Sequence, residues 1–199
     1  NFDSVLEARF IESLRRLGLP EATAASGMPQ TKLVQDIVNG KSGWMLEVAD
    51  QRYKVQPQCD LGVGEGVSVA SKPDFVIWPW PATAAKRPIA VFCDGWAFHK
   101  DTIRQDAIKR SAIVASGRFW VWSVTHQDVA AALAGNLDTD LESPLVALSR
   151  HDGARAPATL PRAQEKAFTQ HAVARLLQWL AAALGAVGTD PAVEVMQRN

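Results

Sequence analysis

The chain has no excess of charge. Its 199 residues carry 21 Lys and Arg against 21 Asp and Glu, so no global basic field advertises a nucleic-acid partner. Any such binding falls to a local patch. Cysteine is scarce: Cys59 and Cys93 stand alone with no metal-ligand spacing, which excludes a disulfide framework and fits a reducing, cytoplasmic setting. No apolar run reaches the length of about 18 residues that a membrane span needs, so no membrane role is expected. The N-terminus lacks the charged segment and apolar core of a signal peptide. Internal repeats and low-complexity tracts are also missing. The chain opens on Asn1 rather than a methionine, which fits either removed residues or a domain excised from a longer protein. Its length suits one domain with appendages.

What is present is a pair of short apolar runs, each tied to acids. The first, SKPDFVIWP, holds Asp74. The second, PIAVFCDGWAFHKD, leads through Cys93 into Asp94 and sets His99 five residues further on. Two such runs read as adjacent strands of one sheet. A carboxylate on each strand, with a His just past the second, makes a site that could hold a divalent cation and activate water, the chemistry that cuts phosphodiesters. Asp74 sits among apolar residues, where a carboxylate needs a metal, an arginine or backbone donors. Asp94, before Gly95, could equally open a turn.

Along the chain, Ser4 with Glu7 gives a capping-box pattern before a helix. Val5, Leu6, Ile11, Leu14 and Leu17 share its face, and Gly18 ends it. A second helix is expected over about 29–39, closed by Gly40. GWMLEVAD and RYKVQPQ read as two strands turning near Asp50-Gln51, and DLGVGEGVSVA as a glycine-rich loop. Strands follow at 72–78, 89–93 and 119–124, with helices at 101–116 and 127–133. The stretch 136–161 looks like a linker or loop. A helix of roughly six turns over 162–184, with Phe168, Val173, Leu176, Leu177, Leu180 and Leu184 on its apolar face, belongs to a C-terminal segment, 162–199, expected to pack on a core of 1–135. The expected class is α/β, with a central mixed sheet flanked by helices and a C-terminal helical extension.

This order of elements resembles the PD-(D/E)xK nuclease superfamily, built on a restriction-endonuclease-like core. The segment Cys93-Asp94-Gly95-Trp96-Ala97-Phe98-His99 is most similar to the branch of very-short-patch repair endonucleases. The string from AVFCDGWAFHKD to FWVWSVTHQDV also resembles the C-terminal domain of bacterial DEAD/DEAH-type helicases tied to DNA processing and phage defence. The resemblance covers roughly residues 3–134. It implies metal ligation by Asp74, the Cys93 carbonyl and Asp94, a catalytic role for His99, and a site role for Glu7 through the E…L…LG pattern of the first helix. It also implies Mg²⁺ or Mn²⁺ as cofactor, with DNA and an attached helicase as partners. Two departures stand out: Phe92 occupies the place where relatives often carry Glu, and no Lys follows an acid at the usual spacing on this strand.

Beyond the site, Lys100, Arg104, Lys109 and Arg110 follow on one helix. They form either a solvated face or a set of phosphate contacts. Trp96 and Phe98 fall where the repair endonucleases place base-pair wedges, and plain packing is the rival reading. Trp120 and Trp122 read as core, while Trp78 and Trp80 flank a proline-rich loop. Three functions are open: a metal-dependent DNA endonuclease domain, a nuclease fold that binds DNA without cutting it, and a protein-interaction domain.

Overall fold

The structure, a computed structural model, describes residues 4–83, 86–94, 103–137 and 170–182. A six-stranded mixed sheet forms its centre, with strands in simple chain order: β1 Thr31–Val38, β2 Lys41–Val48, β3 Gln51–Pro57, β4 Phe75–Trp80, β5 Ile89–Asp94 and β6 Trp120–Thr125. The first five pair antiparallel; β5 and β6 run parallel. The parallel step needs a crossover, which α3, Ile103–Ala115, supplies. The remaining α-helices among the described residues are α1 (Val5–Leu17), α2 (Pro20–Ser26), α4 (His126–Leu133) and α5 (Ala172–Ala181). The class is α/β, as expected.

Alternation along the strands sends side chains to two cores. Phe75 and Ile77 of β4, Val91 and Cys93 of β5, and Trp122 and Val124 of β6 meet α1, α4 and α5 on one face. Val76, Ala90 and Phe92 turn to the other face, where Ala112 and Ile113 of α3 and Phe119 cover them. Burial on both faces is why β5 reads as an uninterrupted apolar run.

The helix expected over 29–39 is a strand. Leu33, Val34, Ile37 and Val38 fall at spacings that also suit a helix. The Asn39-Gly40 pair decides against it, because both residues take positive φ, 50° and 76°. They form the two-residue turn that joins Val38 to Lys41 in a hairpin, and glycine takes that conformation without steric cost. In α1 the buried positions are Glu7, Phe10, Ile11, Ser13, Leu14 and Leu17, whereas Val5 is 76% exposed and lies off the core face. Gly18 is the C-cap, and glycine is needed there because Thr31 packs directly over its Cα, where a side chain would collide.

The single helix expected over 162–184 does not run unbroken: the described helix is Ala172–Ala181, and the residues that cap it, His171 and Ala182, are both extended. The helix's apolar face is core: Leu176, Leu177 and Leu180 are fully buried, and Trp179 stacks on Trp122 with ring centroids 5.8 Å apart. His171, to which the sequence reading gave no place, is buried at the start of this helix. It caps Ala174 N–H through Nδ1 and sets Nε2 2.7 Å from the Asn136 carbonyl. Most of the expected linker and the C-terminal tail lie outside the described residues. No described helix is long and apolar enough to cross a membrane.

Candidate functional site

β4 and β5 are direct neighbours, with Phe75 opposite Val91, so Asp74 lies beside the C-terminal end of β5. Its Oδ2 accepts a hydrogen bond from Cys93 N–H at 2.6 Å. The two acid-bearing strands are therefore stitched together at the residue where the acids sit. A half-buried carboxylate that accepts from a backbone donor beside an apolar strand has a partner for its charge.

Glu7 arrives from α1. Ser4 caps the helix by accepting from Glu7 N–H at 3.2 Å, the Ser4 half of the expected capping box. The Glu7 carboxylate, 2% exposed, points into the molecule and accepts from the Gln58 side-chain amide, Nε2 to Oε2 at 3.0 Å. Burial pushes the Cys93 thiol far above the ordinary range, and the negative charges of Asp74, Glu7 and Asp94 add to that push. These charges act on the thiol from different sides: Glu7 belongs to α1, which packs on the face of the sheet that carries Cys93, whereas Asp94 pairs with Arg110 of α3, which covers the other face.

Asp94 has a partner that the sequence did not suggest. Arg110 of α3 grips it with both terminal nitrogens, Nη1 to Oδ2 at 2.9 Å and Nη2 to Oδ1. The same guanidinium donates to Ser123 Oγ at 2.8 Å and lies 4.6 Å over the Phe92 ring. The Phe92 ring is a platform for Arg110. Of the expected phosphate-contact helix, Arg104 is exposed and Lys109 is half-buried, while Arg110 faces the sheet instead of solvent. Trp96, Phe98, His99 and Lys100 lie outside the described residues.

The sequence reading missed Gln58. It sits just past β3, donates its backbone N–H to the Asp74 carbonyl at 2.9 Å, and reaches Glu7 with its side chain. Nothing in its local sequence marks it, since the link spans 51 positions. The glycine-rich loop forms a short 3₁₀ turn, Val63–Glu65, closed by Glu65 Oε2 accepting from Gly62 N–H. Trp78 is held by Gln56, Nε1 to Oε1 at 3.1 Å, and packs edge-on against Phe119; Trp80 is 43% exposed.

Among the described residues, no three His, Cys, Asp or Glu side chains gather as a ready-made metal cage. The donor chemistry nonetheless suits a hard cation. The acids offer oxygen ligands, and Mg²⁺ commonly keeps several waters while one or two carboxylates hold it. No family model, curated protein or solved structure matches this chain.

Proposed function

We propose that the chain is a metal-dependent DNA endonuclease domain with a restriction-endonuclease-like fold, working within a larger DNA-processing or defence protein that includes a helicase. One observation carries the reading: the Asp74 carboxylate accepts from the Cys93 amide across the β4–β5 pair, which ties the first acid to the strand that ends in the second, Asp94.

In this reading Asp74, Asp94 and the Cys93 carbonyl hold Mg²⁺ or Mn²⁺. When bound, the metal supplies electrostatic stabilisation of a scissile phosphate and lowers the pKa of a water. The protein's own groups do the rest. The Cys93 N–H fixes the Asp74 carboxylate. Glu7 presents a second, buried carboxylate at the outer edge of the site. His99 moves a proton to or from the reacting oxygen. Arg104, Lys109 and Lys100 meet the DNA backbone, and Trp96 and Phe98 meet the bases.

A second reading is favoured by the Arg110–Asp94 pair together with Phe92. A carboxylate held by an arginine fork and an acid position filled by a ring fit a nuclease fold that binds DNA without cutting it. For the interaction-domain reading the zero net charge remains, while the described part of the terminal helix's apolar stripe, Val173, Leu176, Leu177 and Leu180, is covered by the core.

Supercoiled, linear duplex and single-stranded DNA incubated with the chain in Mg²⁺ or Mn²⁺ should be nicked or cut. Asp74→Ala should lower the rate by more than the roughly 10–100-fold that an outer-sphere partner contributes. Binding of DNA with no cleavage of any form, together with no heat of Mn²⁺ binding, would move the assignment to the non-cutting module.

A further inference from the structure

Gln58 holds a backbone conformation that its surroundings impose. Its φ is 49°, in the left-handed region that residues with a Cβ enter only when held there. Two other non-glycine residues among those described share this feature, and both have a local reason. Asn39 and Ala49 lie in the two-residue turns of the β1–β2 and β2–β3 hairpins. Gln58 lies in no such turn. It follows Pro57, the last residue of β3, which pairs with Phe75. The twist at Gln58 lets its N–H continue the β3–β4 ladder onto the Asp74 carbonyl while its side chain reaches Glu7 on α1.

The same residue therefore grips two of the three acids, one through the peptide and one through the carboxylate. The chemistry of the donor matters as much as its position. A neutral amide orients a carboxylate without cancelling its charge, whereas a Lys or Arg would compete with a cation. Locally strained backbone that serves one side-chain contact is characteristic of functional sites.

We propose that Gln58 is a positioning residue for the acidic site. It fixes the Glu7 carboxylate relative to Asp74, so that the two acids act together on a divalent cation and its waters. The inference rests on the endonuclease reading, and the test separates the two.

Mn²⁺ binding by calorimetry, thermal unfolding and Mn²⁺-dependent cleavage should be compared for the wild type, Gln58→Asn and Gln58→Leu. Asparagine tolerates positive φ but is too short to span to Glu7, so Gln58→Asn keeps the backbone and drops the contact. The expected result for Gln58→Asn is Mn²⁺ affinity weaker by about tenfold, within the range of outer-sphere partners. Its melting temperature should stay near that of the wild type, and its cleavage rate at saturating Mn²⁺ should stay within about twofold. In a Glu7→Gln background the same substitution should change Mn²⁺ affinity no further, since the pair acts as a unit. A wild type that binds Mn²⁺ and variants that bind it equally well would overturn the positioning role while leaving the endonuclease reading intact. So would variants whose only change is a lower melting temperature. A wild type that neither binds Mn²⁺ nor cuts DNA would overturn both.

Discussion

Asp94 and Arg110 show how one side chain acquires its meaning from another 16 positions away. As a strand-end acid before a glycine, Asp94 was legible in the sequence. Arg110 was read with its basic neighbours on α3, although it lies three residues before the buried Ile113 and so shares the inward face of the helix. Their side chains are about a quarter exposed, 25% and 23%, so the pair is shielded but not dry. Removing one partner of a fully buried pair costs about 3–5 kcal/mol. With water reaching this one, Arg110→Leu should cost roughly 1–3 kcal/mol, read as a lower urea midpoint with unchanged slope. Asp94→Leu combined with Arg110→Leu should recover part of that loss, because no charge is left stranded. A double variant weaker than the sum of the singles would mean that the pair is not what stabilises this corner.

Secondary-structure elements were legible where one signal dominated. Helix α1, strands β2, β3, β5 and β6, and the helices after β5 and β6 follow from periodicity and end signals that agree. β1 did not, because its apolar residues satisfy two periods at once and only the Asn39-Gly40 turn separates them. The terminal helix was legible as amphipathic and as packing on the core, but not that an extended His171 would cap it and start it at Ala172. The structure sets Leu176, Leu177 and Leu180 at 0% exposure in the same core as Phe10 and Phe75. Leu177→Ala should therefore cost about 2–5 kcal/mol, the range for a leucine deleted from a packed interior. A change below about 1 kcal/mol by chemical denaturation would show instead that this helix is an ornament on an already complete fold.

At the scale of the whole molecule, three buried acids of the weaker kind set a limit on alkaline stability. Burial pushes the Cys93 and Cys59 thiols up from 9.0, with neighbouring carboxylates adding to both, and burial pushes the Tyr53 hydroxyl from 10.0 to about 12. All three have raised values in the folded state. Their contribution is complete below the unfolded values and is lost as pH rises towards the folded ones. Stability should hold to about pH 9 and then fall steadily towards pH 12. Cys93→Ala should flatten the onset and Tyr53→Phe the later part, both read from urea midpoints at each pH. Tyr53 also donates to the Leu180 carbonyl at 2.6 Å, which ties β3 to the terminal helix, so its ionisation should loosen that contact first. The sequence by itself determined the class of fold and the residues able to do chemistry. Strand and helix periodicity are local properties, and a carboxylate beside an apolar strand is conspicuous wherever it lies. Only the tertiary structure decided that Asp74 docks on the Cys93 amide, that Arg110 holds Asp94, and that Gln58 joins Glu7 to Asp74. Those contacts depend on how strands and helices from distant parts of the chain dock, and no local pattern encodes that geometry.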